Sequence, residues 1–168
     1  MKKVMIFGLL LAVVFTGCKK SDEDDDNDKP KKVGIMGEWY SSGANVAPLL
    51  IYAGIDSIYA EFNLDNTYLV ESFSDGSKTT LTGTFTQAKS GTGSIWTIIL
   101  NQNTPNSLTS EGIFEITDGT LKTMQYEVAQ TEPPISGVTK PTPAGGFGST
   151  SDGAYGVMNV QNYIEYVK

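Results

Sequence analysis

Ser57-Ile-Tyr-Ala-Glu-Phe-Asn-Leu64 alternates along its whole length. Ile58, Ala60, Phe62 and Leu64 fall on one side and Tyr59, Glu61 and Asn63 on the other, which is the period of a strand with one wet face. Asp65-Asn66 supplies turn residues, so a hairpin partner is expected over residues 67–73. There Leu69 and Phe73 share a side with Glu71 while Tyr68 and Val70 share the other, and either face suits an interior. Ser74-Asp-Gly-Ser77 is the next turn. Residues 79–87 return to alternation, with Leu81, Gly83 and Phe85 opposed to Thr80, Thr82, Thr84 and Thr86, whose β-branching favours extended backbone. Strands over 94–101, 110–116 and 121–128 follow, with Ser90-Gly-Thr-Gly93 and Asp118-Gly119 between them. Short strands closing on short turns predict an antiparallel meander, and one this long buries its apolar face by curling into a barrel or splitting into two packed sheets. The fold class is all-β with one short helix, and the pattern alone leaves barrel and packed sheets both open.

Details along the meander carry further expectations. Gly83 in mid-strand predicts the bulge or bend that barrel strands need, and Gly112 is expected to serve likewise. In 94–100, Trp96, Ile98 and Leu100 share one face and Ile95 and Ile99 the other. A barrel strand shows only one face to the lumen, so the second apolar face needs cover from the helix, from the C-terminal segment or from a partner. Lys122, Met124, Tyr126 and Val128 oppose Thr123, Gln125 and Glu127. Most of the strand glutamates, Glu61, Glu71, Glu111, Glu115 and Glu127, are thereby expected on the solvent side.

Val46-Ala-Pro-Leu-Leu-Ile-Tyr-Ala53 is the apolar run that does not alternate. With Pro48 near its start and Gly54 beyond its end it reads as a two-turn helix, N-capped by Asn45 and stopped by glycine; a short buried strand is the competing reading. Placed between the first two strands, the helix lies across one barrel opening, either as a lid completing the core or as a ligand gate. Leu49, Leu50 and Tyr52 would form the ligand mouth. After Glu132-Pro-Pro134 the composition turns to Pro, Gly, Ser and Thr, yet Ile135, Val138 and Phe147 imply a segment pinned to the body. The last residues fit a strand through Met158, Val160, Ile164 and Tyr166 or a helix through Val157, Val160, Ile164 and Val167. A strand closing the sheet, irregular in its N-terminal part, is the preferred reading.

The chain has 168 residues and a formal charge of -7, which suits a single domain of residues 33–168 behind an N-terminal leader. Met1-Lys-Lys3 followed by the twelve mostly apolar residues 4–15 predicts a signal peptide over 1–17, since a bilayer span needs about 20 apolar residues. Phe15-Thr-Gly-Cys18 ends that region at the sole cysteine, which has no intrachain partner for a disulfide. The tetrad resembles the lipobox of bacterial lipoproteins, with Phe15 where leucine is more usual. By that resemblance Cys18 becomes a mature N-terminus anchored in the membrane by acyl chains; the competing reading is an ordinary signal peptide. Residues 18–32 form a tether. Its Ser21-Asp22-Glu23-Asp24-Asp25-Asp26 core has no apolar side chain and repels itself. It resembles the export signal that sends lipoproteins of Bacteroidota to the outer face of the outer membrane.

Gly37-Glu-Trp39 resembles the short motif that opens lipocalins, in which the tryptophan plugs the closed end of the barrel. Together with residues 45–54, Asp56-Ser-Ile-Tyr-Ala-Glu-Phe62, Thr80-Leu-Thr-Gly-Thr-Phe85, Ser94-Ile-Trp-Thr-Ile98, Leu108-Thr-Ser-Glu-Gly-Ile113 and residues 143–149, it makes the chain similar to the lipocalin-like, or calycin-like, domain lipoproteins of Bacteroidota. That resemblance implies an eight-stranded barrel on an outer-membrane lipoprotein. It implies no particular ligand. The chain has no arginine, the residue with which many true lipocalins cover the tryptophan, and so departs from the classical pattern.

From Val33 onward five lysines face thirteen acids, a formal charge of -8, which argues against nucleic acid as a partner. With no histidine and no cysteine after Cys18, the ordinary zinc, Cys-His and Ser-His-Asp sites are excluded. No cofactor or metal is expected. A carboxylate pair is the remaining hydrolytic option, outweighed by the aromatics Tyr40, Tyr52, Tyr59, Tyr68, Tyr126, Trp39 and Trp96, most of which suit core or barrel-end packing while a few on an open rim suit an apolar ligand or a sugar ring. The residues therefore describe a binder rather than an enzyme. The alternative is an accessory module of a surface complex, in which Ile95, Trp96 and Ile99 meet a protein partner.

Overall fold

The computed structural model describes residues 31–168. The residues expected to form a signal peptide, Cys18 and the acidic stretch beginning at Ser21 lie outside the described residues. Eight strands follow in order: β1 (Gly37–Ser42), then a short helix α1 (Pro48–Tyr52), β2 (Ser57–Phe62), β3 (Thr67–Ser74), β4 (Ser77–Lys89), β5 (Trp96–Thr104), β6 (Leu108–Thr117), β7 (Thr123–Glu132) and β8 (Gln161–Glu165). Each pairs antiparallel with the next, and β8 returns to β1, so the meander closes into a barrel. The architecture is consistent with a calycin-like fold. Closure leaves no unpaired sheet edge, the hazard that a long meander must otherwise manage.

Register settles which face of each strand looks inward. Ala60 stands opposite Trp39 on one side and Val70 on the other, so Tyr68 and Val70 point into the barrel and Glu71 points out, where Lys78 binds it at 2.5 Å. Leu64 does not continue the buried row of β2, because the strand ends at Phe62 and Leu64 sits exposed in the turn. The β4–β5 register shifts between Thr82 and Gly83. A Cβ at Gly83 would lie 2.1 Å from the carbonyl oxygen of Asn101, so the bulge can form only without a side chain. Gly112 is different. The shift between β6 and β7 falls at Thr109 and Ser110, and Gly112 is needed instead because a Cβ would meet the Glu127 carbonyl oxygen at 2.0 Å.

One barrel end is plugged. Trp39 is 2 % exposed and its indole N–H donates to the Ile35 carbonyl at 2.7 Å. The Gln87 side chain accepts from the Ile35 N–H and donates to the Val33 carbonyl, both at 2.9 Å, folding residues 33–36 beneath the opening. Phe62 and Phe85 meet edge to face at 5.2 Å, and Trp96 stacks on Phe114 at 5.8 Å. Trp96 therefore belongs to the inner face with Phe114 and does not join Ile95 and Ile99 in an outer patch.

At the other end α1 spans the connection between β1 and β2, with Leu50 and Ile55 packed on the core. Asn45 is not its cap. It ends a separate 3-10 turn, Val46 and Ala47 run extended and buried, and Ala47 is the N-cap with no side-chain bond. Pro48 takes the first helical position, where its missing N–H costs nothing, and Gly54 at φ +86 stops the helix.

The C-terminal segment makes a 3-10 turn (Gly156–Asn159) and then β8. Its inner face is the opposite of the apolar row that its sequence suggested. Met124 stands opposite Tyr163 and Tyr126 opposite Gln161, so those two point inward, while Ile164 and Tyr166 point outward beside Tyr40. The apolar count on the two faces is nearly equal, and it is pairing with β7 that decides between them.

Candidate functional site

Residues 133–160, between β7 and β8, form a strap over the outer face of β6 and β7. Glu127 lies on that outer face, as alternation requires, yet it is 0 % exposed. Its carboxylate accepts from the N–H of Gly148 at 2.6 Å, from the N–H of Thr150 at 3.1 Å and from the Thr150 hydroxyl at 2.5 Å. Asn159 donates to the Val128 carbonyl at 2.9 Å and to Thr150 Oγ1 at 3.1 Å, and Lys140 pairs with Glu111. The expectation of a solvent-facing Glu127 is thus overturned: outward does not mean exposed when a loop lies on top. A buried carboxylate is tolerable because its oxygens are occupied by donors. Ile113 on the same face is fully buried. Ile99 keeps 39 % exposure.

Where the strap approaches α1, a pocket of about 290 Å³ opens between Leu49, Val128, Val138, Thr150, Tyr155 and Asn159. Of the three residues expected at a ligand mouth, Leu49 lines this pocket, Leu50 packs against the barrel core and Tyr52 stands 80 % exposed, outside both. A polar link positions α1 at its other side. The Ala47 N–H donates to the Gln161 side-chain oxygen at 2.7 Å, and the Gln161 amide donates to Ser41.

Inside the barrel, Val70, Leu81 and Val128 pack on the core but remain only partly covered. Tyr126 does the same from the middle of β7, although it is enclosed enough that burial drives its phenol well above the ordinary tyrosine value, with Tyr163 and Tyr68 nearby adding to the effect. Tyr126 and Tyr163 meet edge to face at 6.0 Å. Burial raises the phenol of Tyr163 and also that of Tyr68, the latter to about 12. Tyr68 and Tyr126 are among the aromatics the sequence singled out, whereas Tyr163 is not, and no signal in the sequence grouped the three.

Gly37 lets β1 begin at φ +143, two residues before the plugging Trp39. On the outer surface Glu38 stands opposite Glu61 across β1 and β2. The Tyr59 hydroxyl, donating at 2.8 Å, and Lys168, at 3.1 Å, hold the Glu38 carboxyl below the usual range. It is therefore ionised at neutral pH and unsuited to donate a proton as a general acid. Glu71 and Glu111 are bound to lysines, and Glu127 is enclosed. Among the described residues no group of three metal-ligating side chains clusters. No protein-family model matches the chain, and neither a curated protein nor a solved structure matches it.

Proposed function

We propose that this chain is a lipid-anchored outer-membrane protein, facing the cell exterior, whose barrel binds a small apolar or amphipathic ligand that enters beside α1. The observation that carries the binding reading is the set of inward apolar side chains that pack on the core and stay only partly buried, Val70, Leu81 and Val128. A barrel of about eight strands is the size at which side chains either fill the interior or leave room for one small ligand. The anchoring part rests on the lipobox-like tetrad at Cys18 and the acidic residues Asp22, Glu23, Asp24, Asp25 and Asp26.

Titrating the purified chain with diphenylhexatriene tests the binding reading. A saturable rise in fluorescence that Leu50→Asp abolishes is expected; no saturation at any concentration overturns it. For anchoring, Cys18→Ser should abolish labelling by a palmitate analogue and release the protein from membranes. Replacing residues 22–26 with alanine should leave labelling intact while hiding the domain from protease added to whole cells.

A second reading has its own observation. Tyr40, Ile164 and Tyr166 form an exposed apolar patch on the outer face, with Tyr40 and Tyr166 ring centroids 6.4 Å apart, which suits a protein partner. Crosslinking in whole cells that depends on Tyr166 but not on Leu50 would favour it.

A further inference from the structure

The three inward phenols have a property that the rest of the interior lacks. Tyr59, on the outside, is the one tyrosine whose hydroxyl has a protein partner among the described residues. Tyr68 and Tyr163 are 5 % and 6 % exposed, and Tyr126 is enclosed near both, yet among the described residues none of the three hydroxyls meets a protein acceptor. Among the described residues no sealed side-chain nitrogen or oxygen is left without a partner. The three hydroxyls therefore keep some accessible surface of their own. A hydroxyl taken out of water with nothing to bond is unfavourable in an apolar setting, so each calls for water or the polar end of a ligand.

The charge of the surroundings says which polar end. The chain has no arginine or histidine, and the described lysines, at 31, 32, 78, 89, 122, 140 and 168, are all exposed. Lys89 lies over the Trp96 ring, 5.6 Å from its centroid. An anionic headgroup would thus be buried without a counter-ion inside a domain that is itself acidic, a strongly unfavourable state. An uncharged acceptor has no such penalty. Phenols whose ionisation burial has pushed upward remain donors throughout the physiological range.

Building on the ligand-binding reading above, we propose that Tyr68, Tyr126 and Tyr163 form a donor cluster that selects an uncharged amphipathic molecule carrying a carbonyl oxygen, and rejects carboxylates of the same chain length. The apolar part lies along Val70, Leu81 and Val128, and the carbonyl accepts from the phenols.

The test compares methyl laurate with lauric acid as competitors of bound diphenylhexatriene, in the full chain and in Tyr126→Phe, Tyr163→Phe and the double variant. Phenylalanine keeps the ring and removes only the donor. Methyl laurate should compete at least tenfold better than laurate at neutral pH. The double variant should lose about tenfold for methyl laurate, or ~1.4 kcal/mol, while binding diphenylhexatriene unchanged. If diphenylhexatriene binds saturably but the acid competes as well as the ester, or the variants bind the ester as wild type does, the donor cluster is overturned and the binding reading stands. If diphenylhexatriene and the ester both fail to bind, both fall together.

Discussion

Gln161 on β8 donates its side-chain amide to the hydroxyl of Ser41 on β1, across the seam where the last strand meets the first. Backbone pairing there is short, with Trp39 opposite Glu165 and Tyr40 opposite Ile164. Beyond Tyr40 the two side chains continue what the ladder does not. Gln161 also accepts from the Ala47 N–H, so one residue ties β8, β1 and the approach to α1. Gln161→Ala should leave a buried N–H and a buried hydroxyl without partners and cost about 2 to 4 kcal/mol, read by urea denaturation. Hydrogen exchange should quicken at Tyr40 and Ile164 before it does in β4 or β5.

Glu127 and Thr150 make the comparable link for the strap. Glu127→Gln keeps the size and one acceptor oxygen, whereas Glu127→Ala strands the N–H groups of Gly148 and Thr150. Bonds to charged groups contribute about 1.5 to 3 kcal/mol each when removed in this way. Limited proteolysis within residues 136–153 should therefore accelerate strongly in the alanine variant and weakly in the glutamine one. Equal, wild-type rates in both would show that the strap is held by Lys140 and apolar contacts alone.

These two links mark where reading the chain alone runs out. The strands were legible because an alternating pattern has a period that no helix shares, and Gly83 was legible because a bare position in mid-strand has few other uses. The inner face of β3 was not, since Leu69 and Tyr68 both suit a core, and register with Ala60 decides it. Glu127 was placed on its correct side but given the wrong environment, because its cover arrives twenty-odd residues later from a glycine- and serine-rich stretch that looks like a linker. The signal present was Gly148 and Thr150, small residues able to bring backbone N–H groups close to a carboxylate. Tyr68 and Tyr126 were counted among the aromatics without being grouped with Tyr163, for nothing local tells a phenol with a partner from one without. Of the expected mouth, Leu49 lines the pocket beside the strap, Leu50 packs on the core and Tyr52 stands exposed.

Gly83 permits a direct steric test. Its φ is not in the left-handed region, so the cost of Gly83→Ala is the contact at 2.1 Å with the Asn101 carbonyl and not backbone strain. Forcing a methyl into that gap should cost about 1 to 3 kcal/mol. The exposed neighbour Thr84→Ala, an ordinary surface change, should stay within about 0.5 kcal/mol.

The Glu38 cluster makes stability depend on acid. Its carboxyl is depressed chiefly by the Tyr59 hydroxyl and then by Lys168, so the folded protein binds that proton less readily than the unfolded chain. The contribution is complete above the ordinary carboxylate value and is lost as pH falls through the lower folded one. Wild type and Glu38→Gln should differ by a constant amount near neutrality, and the gap should close as the solution is acidified. Tyr59→Phe should narrow that gap, because the largest cause of the shift has gone.

Trp39 provides the last prediction, because two separable interactions meet in it. The indole fills the plugged end, and its N–H is bonded to the Ile35 carbonyl at 2.7 Å. Trp39→Ala removes both and should cost about 3 to 5 kcal/mol through lost contacts and the cavity left behind. Trp39→Phe keeps much of the ring volume and removes the donor, leaving the Ile35 carbonyl unpaired at a residue that is itself 0 % exposed; about 1 to 3 kcal/mol is expected. If the plug acts only by volume, the phenylalanine variant should unfold close to wild type. If the bond to Ile35 also holds residues 33–36 beneath the barrel, that variant should show faster exchange at the Ile35 amide, which Gln87 otherwise protects, even where global stability changes little. An alanine variant costing less than ~1 kcal/mol, as typical surface changes do, would remove Trp39 from the role of plug.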